Sequence, residues 1–259
     1  MWLSVIALAL SAMTQVSHAW VLERVAATGA LRVCIWPEYF GISYRNPRTN
    51  TLHGLDIELS RALADELGAT PEYVETDFIR LFADLAGRRC DIAMMAVGVT
   101  LERARVADFS RPYLRSDVYA IASRANRAIK SWADIDQPGR VVVVQKGTFM
   151  EPLMRRTLVR ASLLAVSRPA EREREVESGR ADVFITDYPY SQRMLANADW
   201  ARIIAPDQPV QPTDYAYAVP KGDSAWLDRV ERFVSRIKQD GRLAVVAGRH
   251  NLLPIVVRD

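Results

Sequence analysis

The sequence predicts an α/β fold of two lobes that are joined by two crossing segments. Short apolar runs alternate with segments whose apolar residues recur at helical spacing, and this cycle occurs twice within the 259 residues. Strands separated by helices imply parallel pairing through right-handed crossovers. Two extended segments of similar alternating character, residues 117–122 and 214–219, follow the two cycles and look like paired crossing strands. Two lobes with two crossings imply a hinge.

The first cycle predicts three strands and two amphipathic helices. The strands are predicted at residues 31–36, 71–75 and 91–96, and the helices at 55–67, where leucines stand at every fourth position, and at 78–85. This half of the chain is therefore expected to form one α/β lobe.

The second cycle repeats the pattern. It predicts strands at 141–144, 163–166 and 181–186, a helix that follows Thr148 and contains Leu153 and Leu158, and a helix at 169–179 that is polar and is expected to be solvated. Apolar helices near the C-terminus are expected to return to the first lobe. We therefore predict that lobe 1 contains residues 20–117 and 218–259 and that lobe 2 contains residues 118–217.

Residues 1–19 are predicted to be a signal peptide that directs the protein to the periplasm. An apolar run at residues 5–10 is followed by Ser17-His18-Ala19, a small-x-small pattern that suits cleavage after Ala19. A positively charged region before the run is missing except for the amino terminus, so an N-terminal membrane anchor is the alternative. No later stretch approaches the roughly 20 apolar residues that a membrane-spanning helix needs.

Charge and composition argue against several functions. The formal net charge is only +3, and the basic residues are interspersed with acids, so no nucleic-acid partner is predicted. None of the three histidines has a neighbouring ligand at metal-site spacing, so no metal is predicted. Cys34 and Cys90 are either a disulfide, which an exported protein permits, or two buried free thiols, and the sequence leaves both possibilities open.

Four ordered motifs resemble the polar amino-acid solute-binding proteins of ABC transporters, family 3. They are residues 54–59 (GLDIEL), 100–113 (TLER to FSRPY), 146–148 (KGT) and 181–183 (ADV). The resemblance runs from about Gly29 to Ile255. It implies the periplasmic binding protein type II fold, in which a ligand is held in the cleft between two α/β lobes. It also implies a monomer that delivers its ligand to a membrane permease, without cofactor or catalysis.

The resemblance assigns two charged residues to the ligand. Arg103 matches the arginine that binds the ligand carboxylate, a role that suits a guanidinium because it makes two parallel charge-assisted hydrogen bonds. Thr100 is expected to cap the helix that carries it. Asp187, at the end of a strand, is expected to receive the ammonium group, with a helix N-cap as the alternative role. Charges on opposite lobes would make ligand capture and lobe closure one event.

Three aromatic residues, Trp36, Tyr39 and Phe78, fall where the family lines the side-chain pocket. Aromatic faces there would bury an apolar group or stack on a cation, and core packing is the alternative for Phe78. Family members selective for basic amino acids tend to carry an acid at the position of Trp36. Its absence points away from lysine or arginine and towards an apolar, aromatic or small polar amino acid.

The sequence departs from the family pattern at four positions near this site. Met95, Ala96 and Gly98 stand where hydroxyl residues often assist the arginine, and Phe149 stands where a second threonine often follows Gly147-Thr148. Backbone N–H groups around Gly98 and Thr148 remain available as donors. An atypical ligand is therefore expected.

The sequence also resembles the periplasmic cyclohexadienyl dehydratases, which share this fold and act on prephenate-like acids. Such an enzyme needs a general acid, and Glu151 is the only nearby candidate, although its spacing is one residue off. The competing role for Glu151 is that of an acid in the first turn of a helix. A third class, an interaction protein that accompanies a periplasmic enzyme or sensor, has no motif in its favour. Ligand binding without catalysis is the principal prediction.

Overall fold

The computed structural model describes residues 19–258, so the predicted signal peptide lies outside the described residues except for Ala19. The helices are α1 (Trp20–Thr28), α2 (Leu55–Glu66), α3 (Leu81–Ala86), α4 (Leu101–Ala104), α5 (Met150–Thr157), α6 (Pro169–Glu177), α7 (Tyr188–Asn197), α8 (Ser224–Gln239) and α9 (Arg242–Arg249). The strands are β1 (Ala30–Ile35), β2 (Glu38–Tyr39), β3 (Ser43–Arg45), β4 (Leu52–His53), β5 (Thr70–Glu75), β6 (Ile92–Gly98), β7 (Ala107–Phe109), β8 (Leu114–Ser116), β9 (Val118–Ser123), β10 (Val141–Gln145), β11 (Ser162–Val166), β12 (Val183–Asp187), β13 (Ala201–Ile204) and β14 (Thr213–Pro220).

Two sheets of matching topology form the cores of the two lobes. The first has the order β5-β1-β6-β14-β7, with β8 also paired to β14, and the second has the order β11-β10-β12-β9-β13. In each sheet the first three strands are parallel, and the fourth strand runs antiparallel to them. A small antiparallel sheet, β2-β3-β4, accompanies them. This repeated α/β arrangement confirms the predicted fold class of two lobes.

Helical packing follows the predicted periodicity. On α2, Leu55, Leu59 and Leu63 are buried at four-residue spacing, which places one face of the helix against the first sheet. Helix α6 differs from its prediction as a solvated helix. Pro169, Arg172 and Val176 form a buried face on it, because they recur at the three- and four-residue spacing of one helix side.

The two crossing segments pair with different sheets rather than with each other. Strand β9 lies in the second sheet and all of β14 lies in the first, so the predicted boundary at residue 217 falls inside β14. The exact lobe boundaries stay a prediction, with the second crossing between β13 and β14. Asp117 ties the crossings together, since its carboxylate accepts hydrogen bonds from the backbone N–H groups of Val210 (2.9 Å) and Gln211 (2.8 Å).

The C-terminal helices return to the first lobe, as predicted. Trp226 on α8 is fully buried, and its indole N–H donates to the carbonyl oxygen of Asp91 at 2.8 Å. Cys34 and Cys90 are joined by a disulfide that links β1 to the segment leading into the neighbouring β6. None of the described helices combines the length and apolar character needed to cross a membrane.

Candidate ligand-binding site

A cavity lies between the two lobes and is lined by residues of both. Its volume is about 20 Å³, which is room for about one water molecule. An amino acid therefore enters only when the lobes move apart. The lining residues are Trp36, Tyr39, Phe78, Ala96, Gly98, Arg103, Gln145, Thr148, Phe149, Met150, Arg172, Thr186, Asp187, Tyr190 and Tyr215.

Arg103 is positioned by the start of the short helix α4. Thr100 is the N-cap residue, as predicted, and its hydroxyl oxygen accepts a hydrogen bond from the backbone N–H of Arg103 at 3.2 Å. The side chain of Arg103 is 9% exposed, and its guanidinium lies near the faces of Phe78 and Phe82. The cap thus fixes the backbone from which this cation enters the cleft.

The guanidinium of Arg103 contacts both lobes without an acidic partner. Nη1 donates to the carbonyl oxygen of Gly98 at 2.8 Å, and Nη2 donates to that of Gly147 at 2.8 Å. Among the ion pairs of residues 19–258, none involves Arg103. Burial lowers its pKa to about 10, so the group is still charged at neutral pH. Because two of its five N–H donors are used, three remain for an anion.

Asp187 lies on the opposite wall, where β12 ends and α7 begins. Its Oδ1 accepts a hydrogen bond from the backbone N–H of Tyr190 at 3.2 Å, so the N-cap role is present. Its Oδ2 accepts hydrogen bonds from the hydroxyls of Tyr39 and, at 2.8 Å, of Tyr215. Burial raises the pKa of Asp187, while the bonds from Tyr39 and Tyr215 act to lower it. One acceptor position of the carboxylate remains free.

The three predicted aromatic residues form one wall of the cavity. The ring centroids of Trp36 lie 5.1 Å from Tyr39 and 5.4 Å from Phe78, in tilted and edge-to-face arrangements. Phe78 precedes α3 instead of lying on the helix, and it both lines the cavity and belongs to the buried apolar core. This wall offers an apolar surface next to two charged groups.

Gly98, Thr148 and Phe149 line the cavity as predicted, but Met95 does not. Ala96 and Gly98 face the cavity from β6, and because side chains alternate along a strand, Met95 is buried away from it. Ala96 adopts a positive φ of 48°, uncommon for a residue other than glycine, at a point where the pairing of β6 with β14 shifts register. The hydroxyl of Thr148 donates to the carbonyl oxygen of Gln145 at 2.7 Å.

Gly147 brings the two lobes into close contact at the edge of the cavity. It has a φ of +78°, and a Cβ atom there would lie 2.8 Å from both Cγ1 and the backbone nitrogen of Ile79. Ile79 belongs to the first lobe and Gly147 to the second. The arrangement of the lobes in this structure therefore requires glycine at this position.

Sequence reasoning missed several polar residues that face the cavity, above all Arg172 and Gln145. Arg172 is 3% exposed and lies on α6, where its spacing to Pro169 and Val176 was the available signal of burial. Gln145 ends β10 and is also buried. Its side-chain oxygen has no hydrogen-bond partner among the described residues.

Glu151 does not line the cavity. It lines a neighbouring groove between the lobes, which Arg103, Thr148 and Phe149 also line, and its carboxylate accepts hydrogen bonds from the backbone N–H of Gly147 (3.2 Å) and from Arg155 (2.9 Å). These contacts match a first-turn helix acid. Met150, the preceding residue, lines the cavity instead. Within residues 19–258, no group of three or more His, Cys, Asp and Glu side chains is arranged to hold a metal ion.

Two lobes of matching topology around a cavity with charged groups on both walls define a binding protein of the periplasmic type II class. A family model supports this conclusion over most of the chain. The protein belongs to the bacterial extracellular solute-binding proteins, family 3, whose model matches residues 31–250.

Individual relatives include both an enzyme and binding proteins. The cyclohexadienyl dehydratase of Pseudomonas aeruginosa is 31% identical over 223 residues, which cover 86% of this chain and 82% of the relative. The ancestral amino acid-binding protein AncCDT-1, a precursor of cyclohexadienyl dehydratase, has a crystal structure with a TM-score of 0.81 and 30% identity, covering 88% of this chain and 98% of that one. The amino acid ABC transporter substrate-binding protein AbpA of Streptococcus pneumoniae, solved with L-arginine, gives a TM-score of 0.82 and 26% identity, covering 91% and 100%.

Proposed function

We propose that this protein captures an amino acid or a related small carboxylate between its lobes in the periplasm and, as a monomer, delivers it to an ABC permease. The observation that carries the proposal is the buried guanidinium of Arg103, which lines the cavity, donates hydrogen bonds to two carbonyl oxygens and has no ion-pair partner among the described residues. A buried cation without an acidic partner is costly. A ligand carboxylate supplies that partner with bidentate geometry.

The opposite wall is suited to an ammonium group. The carboxylate of Asp187 is buried, lines the cavity and retains one free acceptor position after the three bonds described above. The aromatic wall of Trp36, Tyr39 and Phe78 covers the apolar part of the ligand. In this proposal a zwitterionic head group spans the cleft, with its carboxylate on lobe 1 and its ammonium on lobe 2.

Ligand capture is coupled to closure because the contacts cross the cleft. Arg103 already reaches Gly147 on the second lobe, and Tyr39 on the first lobe reaches Asp187 on the second. To move the lobes from mostly open to mostly closed, a ligand must favour the closed state by roughly 5 kcal/mol. Two charge-assisted hydrogen-bonding contacts from opposite lobes together provide a stabilisation of about this size. The closed surface would then be what the permease recognises.

We further propose that the protein binds without catalysing a reaction. The dehydratase alternative draws support from the 31% identical relative. Dehydration requires a general acid at the substrate, and Glu151 lies outside the cavity, bonded to Gly147 and Arg155. Among the described lining residues, Asp187 carries the only carboxyl group. A dehydratase that used a carboxylic acid of this cavity would therefore use Asp187.

Thermal unfolding of the mature protein against the standard amino acids, prephenate and arogenate tests the proposal. A ligand at 100 times its Kd stabilises the folded state by about 2.7 kcal/mol, which raises Tm by several degrees. Stabilisation by one or a few amino acids without consumption of prephenate supports transport binding. Turnover of prephenate that is lost in Asp187→Asn would establish the enzyme, and the absence of any shift would favour an interaction protein.

A further inference from the structure

Arg172 is a second buried cation in the same cavity, and the binding mode proposed above does not use it. It projects from the buried face of α6 and lines the cavity together with Asp187. Arg172 is only 3% exposed. Its guanidinium carbon lies 4.0 Å from the ring centroid of Tyr190 and 5.0 Å from that of Phe184. An arginine on a buried helix face is unusual, because such positions mostly hold apolar residues and a buried arginine is normally paired with an acid.

The polar atoms of Arg172 are largely without partners. Its one hydrogen bond runs from Nη1 to the carbonyl oxygen of Ile185 at 3.3 Å, and its Nε is buried with no partner among residues 19–258. The ion pairs of the described residues do not include it. Aromatic faces support a guanidinium but do not neutralise it. Arg172 is thus a cation without an ion-pair partner among the described residues, and its charge acts across the cavity on the carboxylate of Asp187, whose pKa it helps to lower.

The charges around the cavity do not balance with a zwitterion. Arg103 and Arg172 contribute two positive charges, and Asp187 contributes one negative charge. When a ligand ammonium occupies Asp187 and a ligand carboxylate occupies Arg103, Arg172 is left as an unpaired buried cation. A second carboxylate on the ligand would neutralise it, whereas a basic side chain would add a third positive charge.

We infer that the ligand carries two acidic groups, and that Arg172 is the residue that selects for the second one. The chemical class is an acidic amino acid, with the side-chain carboxylate on Arg172. This inference rests on the proposed binding function and specifies its ligand. Gln145 is 3% exposed and lies on the same cavity surface, where its side-chain oxygen, which has no hydrogen-bond partner among the described residues, provides a neutral polar contact.

Isothermal titration with isosteric ligand pairs tests this inference. L-glutamate and L-glutamine, and L-aspartate and L-asparagine, differ in charge but hardly in shape. We expect the acid of a pair to bind about 10- to 100-fold more tightly than the amide, as one charge-assisted interaction provides. Glutarate, which has both carboxylates but no ammonium, distinguishes an acidic amino acid from a simple dicarboxylate, and tight binding of either supports a ligand with two acidic groups.

Variants at Arg172 separate a selective role from a structural one. Arg172→Leu should bring the affinity ratio of acid to amide close to one, while binding of the amide persists or improves. Arg172→Gln removes the charge but keeps a hydrogen-bonding side chain. It provides the same measurement of the affinity ratio if the leucine variant fails to fold. Arg174→Leu is the matched control, because Arg174 lies on the same helix but is exposed, and it should leave the ratio unchanged.

Failure of the inference is distinguishable from failure of the proposed function. Wild-type protein that binds neutral amino acids as tightly as acidic ones would overturn the acidic ligand but keep the binding function. Wild-type preference for acids that survives both Arg172 variants would overturn the role of Arg172. Absence of heat with every amino acid and dicarboxylate would overturn the proposed function, and the inference with it.

Discussion

Arg103 and Gly147 are joined across the cleft, because Nη2 of the arginine donates a hydrogen bond to the glycine carbonyl oxygen at 2.8 Å. The proposed carboxylate-binding side chain is therefore also a latch between the lobes. The same glycine leaves no space for a side chain, since an added Cβ atom would lie 2.8 Å from the backbone nitrogen of Ile79 in the first lobe. The same contact therefore involves the proposed ligand-binding side chain and holds the two lobes together, so substitutions of Arg103 and of Gly147 test both properties.

Arg103→Ala should weaken binding of the stabilising ligand by at least about 30-fold while the fold survives. Truncating one partner of a buried charged pair costs about 2–5 kcal/mol, and the side chain lies on the cavity rather than in a lobe core. Titration calorimetry measures the loss, and circular dichroism checks the fold. Arg105→Ala, an exposed neighbour in sequence, is the control. Affinity that is retained in Arg103→Ala would refute the assignment of the carboxylate site.

Gly147→Ala should hinder closure and reduce affinity. The added Cβ would lie 2.8 Å from the backbone nitrogen of Ile79 and would also be held at a positive φ. Gly139→Ala is a matched control, because Gly139 has a φ of +79° but no atom within 4 Å of the added Cβ. This variant therefore introduces the same backbone strain without a steric clash. Small-angle X-ray scattering should show ligand-induced compaction in the wild type and in Gly139→Ala. Equal compaction in Gly147→Ala would contradict this account of closure.

Tyr39→Phe should move the pH dependence of binding upwards. Burial raises the pKa of Asp187, and the hydroxyls of Tyr39 and Tyr215 hold it down. An ammonium ligand needs the ionised carboxylate, so affinity is full above this pKa and is lost as the pH falls through it. Removing the Tyr39 hydroxyl raises the pKa further, so the loss begins at a higher pH. Titrations from acidic to neutral pH measure the midpoint.

The hydroxyl of Tyr73 provides the control for that experiment, because it bonds to Ser60 at 3.0 Å in the first lobe, away from Asp187. Tyr73→Phe should leave the midpoint of the affinity curve in place. An unchanged midpoint in Tyr39→Phe would mean that Asp187 does not receive the ligand ammonium.

Asp56 should make stability depend on pH. Burial raises its pKa to about 7, despite hydrogen bonds from Tyr113 (2.7 Å), the backbone N–H of Ala96 (3.0 Å) and Tyr217 (3.2 Å). Because the folded pKa exceeds the unfolded value of about 4, the folded protein keeps a proton that the unfolded chain releases. The free energy of unfolding should therefore fall by up to about 1.4 kcal/mol per pH unit from pH about 4 to about 7.

Urea unfolding at a series of pH values measures this slope in the wild type and in Asp56→Asn, which cannot titrate. The variant should show a flatter profile in that window, whatever its absolute stability. Parallel profiles for the two proteins would assign the pH dependence to other groups.

Local pattern accounts for the elements of the fold that were predicted correctly. The leucine spacing of α2 and the apolar runs of β1, β6, β10 and β12 are properties of neighbouring residues, so they can be read along the chain. The same holds for Thr100 as the cap of α4. The polar character of residues 169–179 misled the prediction for α6, because one long side chain on its buried face reaches a cavity formed by distant segments.

The two α/β cycles follow from the order of residues along the chain, and the family motifs pointed to Arg103, Asp187 and the aromatic residues of the cavity. The pairing of Cys34 with Cys90, the exposure of Ala96 rather than Met95 to the cavity, and the position of Arg172 beside the site became visible in the folded protein. Periodicity follows from covalent geometry over a few residues. A cleft is made by contacts between segments far apart in the chain, and the residues that meet there depend on how the two lobes pack.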